Sequence, residues 1–181
     1  MDYIFLTGII GSLVLVLGAA WKDGEEGTKP IKSVKNWLFA IGAVIMLLFA
    51  SLDYYINAAP VFFVILEILV LIACMLMMTT WSDRLKTIIL GIAGGALLIW
   101  SLMEFDNPQI AIFVLGLIVV ALGYSFEMGS LRRSIALTLG SILIAWYSYL
   151  TESWIFFGLN LVFGLFSGYY IADYFKKSKR G

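Results

Sequence analysis

One carboxylate lies inside a long apolar segment of this chain. Residues 61–80 read VFFVILEILVLIACMLMMTT, and Glu67 is their single charged residue. A helix rises about 1.5 Å per residue, so this segment can cross a bilayer core about 30 Å thick, with Glu67 about 10 Å below one face. An ionisable group at that depth is costly, and it is a functional-site candidate by default. The sequence therefore predicts a site at Glu67.

Other reactive residue types are scarce. The chain has no histidine, which removes the commonest metal ligand and general base, so we expect no metal site, no cofactor and no enzymatic activity. The single cysteine, Cys74, lies in the same apolar segment and cannot form an internal disulfide. The 12 basic and 12 acidic residues cancel, which argues against a nucleic acid as partner.

The composition is that of an integral membrane protein. Of the 181 residues, 62% are hydrophobic and 13% are charged, whereas a soluble domain is about half apolar and a quarter charged. Seven apolar segments follow one another along the chain, and each is compatible with a membrane-spanning helix. They are 3–21, 37–56, 61–80, 87–103, 109–125, 134–150 and 153–175. We predict an all-α, polytopic membrane protein that forms a single transmembrane domain, 1–181, of seven helices.

The basic residues alternate between the connections of these segments. All 12 lie in residues 22–36, 81–86 and 126–133 or in the tail after 175. The N-terminus and the other connections carry no basic residue, only acidic ones: Asp2, Asp53, Glu104, Asp106 and Glu152. By the positive-inside rule the N-terminus lies outside and the C-terminus in the cytoplasm, which requires an odd number of spans. We therefore expect a multi-pass protein of the plasma (inner) membrane, with the lipid bilayer as a partner.

Two parts of the chain resemble each other. The second segment reads VKNWLFAIGAVIMLLFASL with its basic lead, and the sixth reads LRRSIALTLGSILIAWYSYL. A shift of 98 residues superimposes Lys35 on Arg133 and Gly42 on Gly140. The fifth segment, VLGLIVVALGYSF, can be aligned with the first, LTGIIGSLVLVLG. Internal repeats of this kind are common in transporters.

The third and seventh segments complete the repeat. They begin FFVILE and FFGLN, which brings Glu67 and Asn160 to nearly the same depth. The pattern predicts a three-helix unit at 1–80, a linker helix at 87–103 and a second three-helix unit at 109–176. A competing period of 49 residues, which adds the fourth segment to the series, predicts one helix followed by three hairpins.

In this layout the chain resembles the SWEET sugar transporters, their half-size bacterial relatives and the PnuC vitamin transporters. In size it is more similar still to small bacterial inner-membrane proteins of the YgjV type. The resemblance covers nearly the whole chain and rests on the helix order, the N-out topology and the short basic inner loops. SWEET transporters line a central pocket with a polar pair on helices 3 and 7, beside side chains of helices 2 and 6. The resemblance thus implies a substrate site at Glu67 and Asn160, flanked by Ser51 and Trp146.

Two features depart from that family. SWEET transporters carry prolines within the helices of each repeat, whereas Pro30, Pro60 and Pro108 of this chain all lie at helix ends or in loops. The residue at the third-helix position is Glu67, where an asparagine is typical of SWEETs. The resemblance therefore does not extend to a specificity for sugars.

The residues themselves lead part of the way to the same site. Asn160, Gly164, Ser167 and Gly168 are three or four positions apart and share one helix face. A carboxylate and an amide can hold a hydroxyl-rich or cationic solute, and an indole can stack on a ring or a cation. The competing interpretation is structural: Glu67 bonds to a polar neighbour and links two helices, and the small residues serve close packing.

These observations favour a small transporter or facilitator of a polar metabolite, with a pocket between the two three-helix units. The alternative is a non-transporting accessory or assembly subunit that joins a larger membrane complex or forms a homo-oligomer, with Gly91, Gly94 and Gly95 as the contact. A proton or ion pathway ranks last, because it needs a continuous polar file and the segments hold only one deeply embedded charge.

Overall fold

The structure, a computed structural model, describes residues 3–21, 29–103, 109–126 and 130–178. Within these ranges the chain forms seven α-helices and one short 3-10 helix, and it contains no β-strand. The α-helices are α1 (Tyr3–Ala20), α2 (Val34–Asn57), α3 (Val61–Met77), α4 (Asp83–Met103), α5 (Gln109–Ser125), α6 (Leu131–Leu150) and α7 (Trp154–Ser178), and the 3-10 helix η1 (Pro30–Lys32) precedes α2. The predicted all-α fold is confirmed.

Three of these helices, α1, α2 and α7, are long and apolar enough to cross a membrane. Two shorter apolar helices, α3 and α5, accompany them. This composition is compatible with a membrane protein, and spanning by all seven helices stays a prediction, as does the orientation. Part of the charge pattern lies outside the described residues, namely Asp2, Lys22, Glu104, Asp106, Lys179 and Arg180.

Three helices, α2, α4 and α6, begin earlier than the hydropathy pattern indicates, and a serine caps two of them. Ser33 caps α2 by accepting a hydrogen bond from the backbone N–H of Asn36 at 3.4 Å, and Ser130 caps α6 by accepting one from Arg133 at 3.2 Å. Hydropathy marks only the apolar part of a helix, whereas a capping serine satisfies the free N–H groups of its first turn. The basic residues that open both segments are therefore helical.

α3 ends earlier than predicted. Its last residue is Met77, and the chain leaves the helix through Thr79, whose hydroxyl donates to the carbonyl oxygen of Leu76 at 2.8 Å. A threonine side chain that occupies a helix carbonyl in this way competes with continuation of the helix. The end of the predicted apolar segment is thus a turn.

The chain divides into two compact units, Met1–Ser82 and Asp83–Gly181. In the first unit, α2 packs against both α1 and α3. In the second unit, α4, α5, α6 and α7 pack in chain order, each against the next. α4 is therefore a packing partner of α5.

A glycine brings α2 into close contact with α1 in the first unit. A Cβ atom added to Gly42 would lie 2.7 Å from Cγ of Leu15 and 3.1 Å from its backbone nitrogen. A Cβ added to Gly11 would lie 2.9 Å from Cγ and Sδ of Met46, one turn along the same contact. The backbones of the two helices thus approach at these glycines, as small residues permit.

The second unit contains the same kind of contact between α5 and α6. A Cβ added to Gly140 would lie 2.9 Å from the backbone nitrogen of Val120, and one added to Gly116 would lie 2.9 Å from Cγ1 of Ile144. A third glycine, Gly123, approaches Leu137 in the same way, with Cδ2 at 2.8 Å.

The partners in the two contacts are related by constant shifts. Gly42 and Gly140 differ by 98 residues, which is the shift that the sequence comparison predicted. Gly11 and Gly116 differ by 105, as do Leu15 and Val120, because the connections have different lengths. The alignment of VLGLIVVALGYSF with LTGIIGSLVLVLG places Gly116 on Gly8. It therefore differs by three residues from the register of the contacts.

Both units also turn sharply between their last two helices. Ala58 follows α2 and Glu152 follows α6, and these are the non-glycine residues with positive φ among those described, at 54° and 57°. Ala58 caps α2 in the left-handed conformation and donates its N–H to the carbonyl oxygen of Asp53. A left-handed residue lets the next helix start almost at once, so α3 begins at Val61 and α7 at Trp154.

Candidate functional site

α3 carries Glu67 and has little exposed surface. Of its 17 residues, only Ile68 and Met75 are exposed. These two are seven positions apart, so they form one narrow stripe along the helix. The remaining circumference of α3, including the side of Glu67, is buried or half-buried.

Glu67 is enclosed, and one of its carboxylate oxygens lacks a hydrogen-bond partner among the described residues. The residue is 2% exposed, and its Oε2 atom is buried without a hydrogen-bond partner among the described residues. Buried polar groups in proteins are nearly always hydrogen-bonded, and an unpaired buried carboxylate is costly. Such an oxygen therefore needs an explanation, and a role in binding a hydrogen-bond donor would provide one.

The position of Glu67 in the first unit follows from the antiparallel packing of α2 and α3. The side-chain amide of Asn36, in the first turn of α2, donates to the carbonyl oxygen of Met77 at the end of α3 at 3.4 Å. Ten residues separate Glu67 from Met77, and ten separate Asn36 from Met46, so Glu67 lies near the level of Met46. Met46 is fully buried, and its sulfur accepts a hydrogen bond from the hydroxyl of Ser12 at 3.5 Å.

Ser51 lies about one turn beyond this level on α2. It is half-buried, and its hydroxyl donates to the carbonyl oxygen of Leu47 at 2.8 Å, within its own helix. A hydroxyl whose proton is already donated can only accept further hydrogen bonds, so it offers no proton to the carboxylate of Glu67. Ser51 remains available as an acceptor for a ligand.

Asn160 lies on α7 in the second unit and is half-buried. Its amide nitrogen donates to the carbonyl oxygen of Phe156 at 2.9 Å, which engages one of its two amide protons. One turn later on the same face, Gly164 packs against α6, where a Cβ added to it would lie 3.6 Å from the Cβ of Ser141. Gly168 has no atom within 4 Å of an added Cβ. The predicted small and polar face thus combines a packed part with an open part.

Trp146 lies on the exposed face of α6. Its side chain is 55% exposed, and Ile142 and Tyr149, on the same side of the helix, are equally exposed. The buried residues of this helix occupy other positions, namely Gly140, Ser141, Ile144, Ala145, Tyr147 and Ser148. The indole therefore lies away from the interior of its unit, and the case for the site depends on Glu67 and Asn160.

The correspondence of Glu67 with Asn160 extends to their neighbours. A shift of 93 residues pairs the two polar residues, and it also pairs Phe63 with Phe156, each 1% exposed. Glu67 belongs to the first unit, whereas Asn160 and Trp146 belong to the second. Their meeting in one pocket stays a prediction of the resemblance.

Three further buried residues with polar or polarisable side chains lie outside the predicted site. Ser141 and Ser148 are buried on α6, and Ser148 donates its hydroxyl proton to the carbonyl oxygen of Ile144 at 2.7 Å. Cys74 is buried on α3 and lies two turns from Glu67 on the same face. The seven-residue spacings, 141 to 148 and 67 to 74, are the sequence signal that identifies both pairs.

The comparisons with known proteins give no match. No family model fits the chain, and neither a curated protein nor a solved structure matches it.

Proposed function

We propose that this chain is a small multi-pass membrane transporter or facilitator of a polar metabolite, and that Glu67 binds the solute. The protein would lie in the inner membrane with its C-terminus in the cytoplasm, as the distribution of the basic residues predicts. The layout of the sequence, which resembles that of the SWEET and PnuC transporters, supports the same class of function.

The burial of Glu67 without a partner for Oε2 is the observation that carries the proposal. A carboxylate accepts hydrogen bonds and attracts cations, so its complement is a solute with hydroxyl, amine or other N–H donors. Such a solute would supply the hydrogen bonds that the described residues do not. An anionic solute would add a second negative charge beside Glu67 and is disfavoured.

The binding test uses the full chain in detergent and a panel of polar solutes: sugars, polyols, amines, amino acids and nucleosides. We expect at least one donor-rich solute to raise the melting temperature of the wild type, because a ligand that binds the folded state stabilises it. Glu67→Gln should lower the affinity for this solute by about tenfold or more, and so reduce the rise in melting temperature, since it replaces a charge-assisted hydrogen bond. Met75→Gln, at an exposed position of the same helix, is the matched control and should respond like the wild type.

Uptake into proteoliposomes then separates transport from binding alone. The solute identified in the melting assay should enter vesicles that contain the wild type and Met75→Gln, and enter slowly in those with Glu67→Gln. Full uptake by Glu67→Gln at normal expression would contradict the proposal.

A stability measurement distinguishes a binding role of Glu67 from a structural one. Glu67→Met removes a buried carboxylate oxygen that has no partner among the described residues, so we expect the melting temperature without solute to stay the same or rise. A large loss of stability would instead identify Glu67 as a link between helices. If Glu67 binds the solute, Glu67→Met should also bind no solute.

Asn160 is the second residue of the proposed site. The resemblance predicts that its amide binds the same solute as Glu67, so the effects of Asn160→Ala and Glu67→Gln on affinity should be coupled. A double-mutant cycle with the solute from the melting assay measures that coupling. Additive effects would remove Asn160 from the site and leave Glu67 in it.

An accessory subunit is the second candidate, and one feature of α4 favours it. Gly91 and Gly95 are one turn apart, and no atom of the described residues lies within 4 Å of a Cβ added to either. Such a pair lets another helix approach closely. This function predicts a stoichiometric protein partner after mild solubilisation, lost on Gly91→Leu, together with an unchanged melting temperature across the whole solute panel.

A further inference from the structure

α7 has the length and the side chains of a helix that passes through both faces of a membrane. Its 25 residues span about 37 Å, somewhat more than a hydrocarbon core of about 30 Å. Near its start, the ring of Trp154 stacks edge-on against Tyr149 with centroids 5.9 Å apart. Near its end, Tyr174 and Phe175 form a second edge-on pair at 6.0 Å. Trp154 and Tyr174 are about 30 Å apart along the axis, as aromatic belts at the two interfaces require.

An apolar groove runs along α7 before its second aromatic pair. It is a shallow surface depression, and its lining comes from this one helix: Val162, Leu165, Phe166 and Tyr169. Leu165 and Tyr169 are 67% and 65% exposed, so the groove is open at the surface. At the depth that the aromatic pairs define, it lies beside the hydrocarbon core and ends near the headgroup region.

A positive charge lies on the same face beyond the end of this groove. Lys176 is exposed, and it follows Tyr169 by seven positions, which places it on nearly the same side of α7 and about 10 Å further along. Asp173 lies between them and takes part in an interaction of its own.

We propose that this face of α7 binds an anionic phospholipid. One acyl chain lies in the groove between Val162 and Tyr169, and the phosphate lies beside Lys176. Tyr169 lies about 8 Å inside the interface that Tyr174 marks and Lys176 about 3 Å outside it, so an acyl chain and its phosphate can reach both positions. Charge complementarity selects an anionic lipid, because an apolar groove alone would accept any acyl chain. This site is separate from Glu67 and does not depend on the proposed transport.

Electron spin resonance of chain-labelled lipids tests the proposal on the full chain in phosphatidylcholine bilayers. The probes are spin-labelled phosphatidylglycerol and spin-labelled phosphatidylcholine, and the readout is the ratio of their association constants. We expect the wild type to prefer phosphatidylglycerol, and Lys176→Gln to reduce that preference by about fivefold, which is the effect of one basic residue near an anionic headgroup.

Two further variants make the result specific to the groove. Lys32→Gln removes an exposed lysine from the first unit, so it is the matched control and should keep the wild-type preference. Leu165→Trp fills the groove and should reduce the preference as Lys176→Gln does. Equal effects of Lys32→Gln and Lys176→Gln would overturn the proposal in favour of a general surface potential. The proposal would also be overturned if the wild type showed no preference for phosphatidylglycerol. The same holds if Leu165→Trp kept the wild-type preference.

Discussion

Gly140 of α6 lies so close to Val120 of α5 that a Cβ atom on the glycine would come within 2.9 Å of the Val120 backbone nitrogen. Gly42 of α2 meets Leu15 of α1 in the corresponding way, with the backbone nitrogen at 3.1 Å. In both units a glycine of one helix thus lies close to the backbone of the neighbouring helix. A neighbouring side chain can rotate away from an added methyl group, whereas a backbone has to move with its helix.

Gly140→Ala should therefore destabilise the protein. Overpacking a close contact costs about 1–3 kcal/mol, which exceeds the gain of up to about 1 kcal/mol that alanine brings over glycine within a helix. Gly158→Ala on α7 is the matched control, because an added Cβ there meets no atom within 4 Å, and it should be neutral or stabilising. Unfolding in detergent monitored by circular dichroism measures both, and equal stabilities would refute the close contact.

At Ala58 a substitution should raise the stability of the protein. Alanine in the left-handed conformation costs about 1–2 kcal/mol, and glycine relieves this strain at the expense of about 0.5–1 kcal/mol of backbone entropy. We expect Ala58→Gly to raise stability by up to about 1 kcal/mol. Ala59→Gly, at a neighbour without positive φ, should gain nothing. If both substitutions lower the melting temperature equally, the turn does not need a left-handed residue.

Asn36 joins three segments of the first unit. Its side-chain amide donates to the carbonyl oxygen of Pro30 at 3.0 Å and to that of Met77 at 3.4 Å, which connects η1, α2 and α3. Asn36→Ala removes both of these hydrogen bonds and deprives the Met77 carbonyl of this donor, while the Pro30 carbonyl keeps the backbone N–H of Ser33, and it should cost about 1–3 kcal/mol. Asn57→Ala is the control, since that amide bonds only to Asp53 on the exposed end of its own helix. Similar melting temperatures of the two variants would argue against the connection.

The predicted orientation can be tested within the first unit alone. In a Cys74→Ser background, we expect Asn57→Cys to react with a membrane-impermeant maleimide in intact cells. Lys32→Cys should react only after the membrane is opened, because it belongs to a basic connection. Both positions are exposed, so access to solvent is comparable. Labelling of Lys32→Cys in intact cells would contradict the predicted orientation and indicate the opposite one.

The sequence predicts where the helices lie far better than which way they face. Runs of apolar residues identify all seven helices, and the errors fall at ends that caps decide, such as Ser33 and Ser130. The burial of Glu67 also follows from its surroundings, because nearly every neighbour on α3 is apolar. Trp146 shows the limit: its depth on α6 follows from the sequence, but its exposed face does not, since the buried face of this helix carries Ser141 and Ser148 whereas the exposed face is apolar.

The register of the repeat shows a second limit. Gly8 and Gly11 are both buried on α1, and either is a plausible counterpart of Gly116 when only letters are compared. The contacts decide for Gly11, because it meets α2 as Gly116 meets α6. The spacing of seven residues between Gly11 and Gly18 recurs between Gly116 and Gly123. This spacing is the sequence signal that indicates the register of the contacts.

The packing of each helix against its neighbours in the chain bears on how the protein is made. The main contacts join α1 to α2, α2 to α3, and then α4 through α7 in order, so each partner emerges directly after the helix that it meets. Closing such short loops costs little entropy, and local contacts form quickly. The contact of Gly42 with Leu15 can therefore form while the ribosome is still translating α3, and assembly can keep pace with synthesis.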